Sequence, residues 1–198
     1  MGRLNFFLGI EVQHKSQGLF LNQKKYVMEN LIYKGWYAWN SSHTYAHSKH
    51  APTCRLRFVD GHLYRSMVGM LQYFCITRPN LSFCVNKLSQ FINSPSEMHW
   101  KAVKRVLRYL IGTMEHGLCF SKGQFKLECY CDADWASSLE DRRSTTGYVV
   151  YLGPNRIAWC SKKQAVVSRS SSEAEYRSLA NCVLELLWVR QLLEELGL

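Results

Sequence analysis

The sequence predicts an α+β protein: a mostly helical, basic first part, then three antiparallel strands and one long helix. Three observations predict it. Charge is lopsided, with 15 Lys/Arg against 5 Asp/Glu over residues 1–120 and 10 of each over residues 121–198, so the whole excess of +10 lies in the first part. Apolar residues recur near helical spacing through much of 60–111 and alternate one-by-one from about residue 118. A serine cluster at 170–172 then opens a long run of helix-forming residues. With 198 residues and 47% hydrophobic content the chain can bury a real core, as one large domain or two small ones. The boundary is expected near residue 120.

In chain order, FFLGIEV (6–12) and GLFLNQ (18–23) are short apolar runs that bracket HKSQG, the pattern of a hairpin. QKKYVMENLIYKG carries Tyr26, Val27, Leu31 and Ile32 near helical spacing, with Gly35 as its stop. Residues 36–58 have no period and read as loop. DGHLYRSMVGMLQYFCIT (60–77) reads as a helix closed by Arg78-Pro79, and LSFCVNKLSQFI (81–92) as another.

The next helix has a marked start. Ser94-Pro95-Ser96-Glu97 places Ser94 at the cap, Pro95 in the first turn and Glu97 three residues after the cap, a capping-box pattern. Its body divides into an apolar stripe (Trp100, Val103, Val106, Leu107, Leu110) and a basic one (Lys101, Lys104, Arg105, Arg108). Aligned cations on one face repel, and a phosphate backbone would relieve them. An ordinary solvated face has the same composition.

Three strands follow: KLECYCDAD (126–134), TTGYVVYL (145–152) and RIAWCSKK (156–163), the last two joined by Gly153-Pro154-Asn155. The final helix, from about Glu173, is expected to bury Leu179, Val183, Leu186, Leu187 and Leu193. Three strands and one helix leave a sheet edge open, so this part is expected to be marginal or to depend on a partner.

Other classes are disfavoured. The N-terminal apolar run LNFFLGI is short and ends at Glu11, unlike a secretory signal, and no stretch approaches the ~18 apolar residues of a membrane span. The eight cysteines contain no C-x-x-C pair and read as small thiols in a reducing, intracellular compartment, cytoplasmic or nuclear. A basic part joined to a neutral, carboxylate-bearing one suits a polyanion held by the first and presented to the second, although solubility charge looks the same.

The carboxylates bear the chemistry. Alternation on strand 127–134 puts Leu127, Cys129 and Cys131 on one face and Glu128, Tyr130, Asp132 and Asp134 on the other. The last helix begins near Glu173 and Glu175, and a first turn packed across the sheet brings one of them toward Asp132. Converging carboxylates are hard ligands suited to Mg²⁺ or Mn²⁺, and a metal pair promotes in-line attack on a phosphodiester. The plainer readings are a polar strand end for Asp132 and Asp134, and capping boxes from Ser170 to Glu173 or Ser172 to Glu175; only one box can form. A separate set, His43, His47, His50 and Cys54, offers four zinc-type ligands at a spacing that matches no known module.

The segments FFLGIEV, FLNQKKYVMENL, YRSMVGMLQYFCITRPNLSFCVNKLSQFINSPSEMHWKAVKRVLRYLIGT, DADWASSLEDRRSTTGYVVYLG and WCSKKQAVVSRSSSEAEYRSLA together resemble the Pol polyprotein of copia-type LTR retrotransposons, of plant type, over nearly the whole chain except about 36–58. The resemblance implies that residues 1–120 run from the end of the reverse transcriptase palm through thumb and connection, and that 121–198 form the N-terminal part of a ribonuclease H-like domain. It implies a primer-grip role for the strand pair containing Phe7, Leu8 and Gly9. It places the helix with Lys101, Lys104, Arg105 and Arg108 beside the template–primer duplex.

The resemblance further implies that Asp132 and Glu175 are catalytic ligands for Mg²⁺ (or Mn²⁺) in cleavage of the RNA strand of RNA–DNA hybrids, with Glu173 the capping residue and Asp134 a neighbour. The expected partners are a nucleic-acid duplex or hybrid and the remainder of the polyprotein, with no membrane. The polymerase aspartates would lie upstream of residue 1 and a third ribonuclease H aspartate beyond Leu198. Asn80 stands where the family has Asp, and Ser137-Ser138 where it has Gly-Asp. The chain alone is therefore expected to lack polymerase activity and to cleave hybrids little. The alternative is a non-catalytic retroelement remnant that binds nucleic acid at most.

Overall fold

In the computed structural model, which describes residues 3–32 and 60–198, the N-terminal apolar run is already broken at Leu8-Gly9. FFLGIEV is not one strand. It is itself a tight hairpin, β1 (Phe6–Phe7) and β2 (Ile10–Lys15), paired antiparallel with Phe7 opposite Ile10. Leu8 and Gly9 both have positive φ, 47° and 80°. Two left-handed residues match the twist of a two-residue hairpin, and a glycine adopts the second at no steric cost. Strand β3 (Gly18–Asn22) is the next neighbour in the sheet. A short helix α1 (Lys24–Tyr26) continues as π-helical turns over Val27–Ile32. The expected stop at Gly35, the loop 36–58 and the His43/His47/His50/Cys54 set lie outside the described residues.

The described residues fall into two compact units that divide between Leu118 and Cys119, with Ser16–Gly18 in the second. The core of the first is helical. Helix α2 (Gly61–Phe74) starts at Asp60, whose carboxylate accepts from the amides of His62 and Leu63, satisfying two of the orphan donors of the first turn. Its buried stripe of Tyr64, Met67, Val68, Leu71 and Phe74 meets Leu81, Val85 and Leu88 around α3 (Ser82–Ser89), and Val103 and Leu110 of α4 (Glu97–Gly112). The apolar stripe expected on α4 is the packed one: Val103 and Leu110 are buried, and Trp100, Val106 and Leu107 lie against the same core.

The cap of α4 is shifted by two residues from the expected one. Ser96, in extended conformation, is the N-cap, and its hydroxyl accepts from the amide of His99. The ring Nδ1 of His99 accepts from the Ser96 amide in return, so a histidine closes the capping box where a glutamate was expected. Stacking of His99 on Phe91, 3.7 Å between ring centroids, holds that imidazole in place. Glu97 is the first helical residue, where its charge suits the helix dipole. At the other end, the guanidinium of buried Arg78 donates to Thr113 O and Oγ1, tying the Arg78-Pro79 break to the end of α4.

The division falls within β4 (Leu118–Ser121), whose last residue exchanges two hydrogen bonds with the Asn155 side chain. Strands β5 (Leu127–Asp134), β6 (Thr145–Leu152) and β7 (Asn155–Lys163) form an antiparallel sheet in sequence order. The β6–β7 turn uses Gly153 at φ +57°, where a Cβ would sit 2.3 Å from the Gln124 carbonyl. Both the left-handed φ and the lack of room require glycine there.

Helix α5 (Ser171–Glu195) packs on β5 and β6, but not through the face its leucines suggest. Its buried residues are Ala174, Ser178, Cys182 and Val189. Leu186 and Leu193 are half-buried, whereas Leu179, Val183 and Leu187 are exposed. The physical reason is distance. Small residues at i, i+4 and i+8 let the helix backbone approach the strands until a serine hydroxyl reaches a strand carbonyl, and leucines there would hold it off. The mixed helix-and-strand content is that of the α+β class.

Candidate functional site

Asp132 lies near the C-terminal end of β5, opposite Gly147 of β6. β5 is an edge strand of its sheet. Alternation sends Cys129 and Cys131 toward α5 and leaves Tyr130, Asp132 and Asp134 exposed. The Asp132 carboxylate is held locally: its Oδ1 accepts from the amide of Ala133 at 2.8 Å. Its backbone carbonyl has a different partner. Ser178 Oγ of α5 donates to it at 2.6 Å and is also 3.2 Å from the Gly147 carbonyl, so one hydroxyl proton clamps the helix onto the strand pair.

Glu175 sits three residues before Ser178, on the adjoining helical turn, and is exposed. The two carboxylates act on a common neighbour. The Cys131 thiol is held above its ordinary value chiefly by burial, with Cys129, Glu175 and Asp132 adding charge repulsion. Glu173 is occupied otherwise. Ser170 is the N-cap of α5, its Oγ accepting from the Glu173 amide, while the Glu173 carboxylate accepts from the Arg169 amide and from Arg177. Those bonds, the Arg169 amide first, lower the Glu173 pKa. Glu173 is therefore the capping glutamate, and Glu175 is left outside the cap.

A buried polar frame supports the helix start, and sequence reasoning missed it. Gln164 Nε2 donates to Thr146 Oγ1 and to the Ala174 carbonyl, and its Oε1 accepts from Ser168 Oγ. Trp135 Nε1 donates to the Ser168 carbonyl, and Ser144 Oγ accepts from the Ala136 amide. Every polar side chain in this set has a partner, as burial demands. Nearby, Lys163 bonds to Asp141 at 2.8 Å, and that bond, with help from Ser138 and the Arg143 amide, holds the Asp141 carboxyl far below the usual carboxylate range. Among the described residues, no group of three or more His, Cys, Asp or Glu side chains is arranged to hold a metal ion.

In the first unit, Lys101, Arg105 and Arg108 of α4 are exposed, and Lys104 is half-buried. The Lys104 ammonium lies 5.8 Å from the centre of the Trp100 ring, and burial is the main cause lowering its pKa. The stripe therefore presents three exposed cations and one that leans on its own helix. The hairpin tip is a second exposed feature: Phe6, Phe7 and Leu8 are each at least half exposed. Its backbone is pinned from beneath, where the Tyr73 hydroxyl donates to the Leu8 carbonyl and the Tyr26 and Tyr73 rings meet edge-on at 4.9 Å. Among the described residues no helix is long and apolar enough to cross a membrane.

No family model matches the chain, and no solved structure matches it. Curated relatives do. The chain is 46% identical over 201 residues to the retrovirus-related Pol polyprotein from transposon RE2 of Arabidopsis thaliana, covering 98% of this chain and 14% of that protein. It is 45% identical over 202 residues to the corresponding polyprotein from transposon RE1, again covering 98% and 14%. An uncharacterized mitochondrial protein of the same plant, AtMg00810, is 40% identical over 190 residues, covering 95% of this chain and 79% of its own length. The chain thus spans about one seventh of the two polyproteins it matches. On these similarities it belongs to the copia-type, retrovirus-related Pol polyproteins of transposons.

Proposed function

We propose that the second unit is a ribonuclease H-like element directed at the RNA strand of RNA–DNA hybrids, and that the basic face of α4 holds the duplex. The observation that supports the reading is the Ser178–Asp132 clamp, which ties to the Asp132 backbone the helix residue three positions after Glu175. In the resembled family those two positions are the strand and helix carboxylates.

The donor set fits a hard divalent cation in chemistry, since both side chains are exposed carboxylates. It falls short in number, so Mg²⁺ or Mn²⁺ held by Asp132 and Glu175 alone would be bound weakly. Such an ion, when bound, supplies activation of water for attack on a phosphodiester. The residues of this chain contribute the rest: Ser178 fixes the helix, Glu173 caps it, and Gln164 orders the connection that leads into it.

The test is cleavage of an end-labelled RNA–DNA hybrid with and without Mg²⁺, by this chain and by a longer stretch of the polyprotein containing it. The 198-residue chain is expected to bind hybrid and cut it little, and the longer stretch to cut it. Asp132→Asn should abolish that cutting. Undiminished cleavage by the Asp132→Asn variant would sink the assignment. A second reading, duplex binding without catalysis, rests on the exposed Lys101, Arg105 and Arg108 and predicts hybrid binding with no cleavage in either form.

A further inference from the structure

The layer between α5 and the sheet contains a cluster of thiols that the proposed hydrolytic reading does not use. Cys129 and Cys131 share the helix-facing side of β5, and Cys182 faces them from α5 with no exposed surface. Burial first, and then the neighbouring Cys129 and Cys131 thiols, push the Cys182 pKa up. The registry follows from the clamp one turn earlier. Ser178 sits on the Asp132 carbonyl, and four residues of helix rise about 6 Å. That is about two residues of strand, which sets Cys182 midway between Cys129 and Cys131. All seven described cysteines are free thiols, and the two strand thiols are only partly buried.

We infer that Cys182, with Cys129 or Cys131, is a modification site for low-molecular-weight disulfides of the oxidised-glutathione class, which convert the facing pair into an internal strand–helix disulfide. The strand thiol attacks one sulfur of the small disulfide, whose S–S bond breaks as a mixed disulfide forms and one small thiol leaves. Cys182 then attacks the strand sulfur, the internal S–S bond forms and the second small thiol leaves. Two protein thiols lose two electrons and two protons, and one small disulfide is reduced to two thiols. The helix position of Cys182 makes it the partner shared by both strand thiols, so one bridge forms and the other strand thiol stays free. The bridge would fasten α5 to β5 one turn beyond Ser178 and make that packing resistant to denaturant until reduced.

The experiment incubates the folded full-length chain with oxidised glutathione, quenches free thiols with an alkylating agent and maps the peptides by mass spectrometry. The expected product is a peptide containing Cys182 joined to the peptide containing Cys129 and Cys131, two hydrogens lighter than the sum of its thiol forms. Dithiothreitol should remove it. In Cys182→Ala the strand thiols should instead be recovered as glutathione adducts. The map of the unmutated chain decides the matter if that variant does not fold. Recovery of Cys182 fully alkylated while exposed Cys119 carries glutathione, or its joining to Cys54, would overturn the inference.

Discussion

The hydroxyl of Ser178 donates to the backbone carbonyl of Asp132 across 2.6 Å, from the middle of a buried helix face to the edge strand of a three-stranded sheet. The same hydroxyl lies 3.2 Å from the Gly147 carbonyl, so one side chain holds the helix to two carbonyls of the paired strands. Replacing Ser178 by Ala should cost about 1 kcal/mol, the net worth of such a bond. Ser178→Leu should cost about 1–3 kcal/mol more by overpacking. Urea unfolding followed by tryptophan fluorescence measures both, and a Leu variant as stable as the Ala variant would contradict the close approach described above.

The two faces of α5 make opposite demands. Leu187 is 44% exposed and Cys182 is fully buried. Leu187→Lys should change the stability of the isolated chain by no more than about 0.5 kcal/mol, as surface substitutions do. Cys182→Leu should destabilise it severalfold more. The reverse ranking would restore the leucine face as the buried one.

Gly9 lies at φ 80° beside the rings of Tyr26 and Tyr73. A β-branched side chain there meets both the left-handed backbone and aromatic carbon 3.4 Å away. Gly9→Val should cost about 1–2 kcal/mol from the backbone alone. Hydrogen exchange at the Phe7 and Ile10 amides should show the loss first, because the hairpin depends on that turn.

Changing Lys101, Lys104, Arg105 and Arg108 together to Gln should weaken duplex binding and flatten its dependence on salt, by about 0.9 in logarithmic slope for each phosphate no longer neutralised. Lys104→Gln alone should have the smallest effect, since that ammonium leans over Trp100. Fluorescence anisotropy over a salt series gives the slope. An unchanged slope would identify the stripe as a solvated face.

Asp141 sets an acid limit. Its folded pKa lies below its ordinary value of 3.8 because of Lys163 first, then Ser138 and the Arg143 amide. A depressed carboxylate pKa stabilises the folded chain above the ordinary value, and that contribution is lost as pH falls below it toward the folded pKa. Asp141→Asn should therefore be less stable than the parent near neutrality and lose less on acidification below about pH 4. Parallel stability curves from about pH 7 to about pH 2 would refute the role.

The sheet was legible because its signals are local. TTGYVVYL coincides with β6, and LECYCDAD with β5, since alternation and a Gly-Pro-Asn turn leave little choice of register. The helices of the first unit were legible in existence and in packed face. The cap of α4 was not, because nothing in Ser94-Pro95-Ser96-Glu97 says which serine turns the chain, and an imidazole can stand in for a carboxylate. The break in FFLGIEV was missed because Leu8 adopts a conformation its type disfavours. The buried face of α5 was misread because leucines occupy several faces, and the packing went to the residues that allow the closest approach. Of the candidate site, alternation and the helix start named Asp132, Asp134, Glu173 and Glu175 as candidates, and the resemblance singled out Asp132 and Glu175. Gln164, Ser168 and Ser178 carry no motif, and their role depends on partners distant in sequence.

The small-residue packing of α5 also has a calorimetric consequence. Heat capacity rises on unfolding with the apolar area exposed and falls with the polar area. The first unit unfolds from a core of Tyr64, Met67, Leu71, Phe74 and Leu110. The second unfolds from a layer of Ala174, Ser178 and Cys182 resting on strand carbonyls and thiols. Residue for residue, the second should absorb less extra heat per degree, and its stability should vary more gently with temperature.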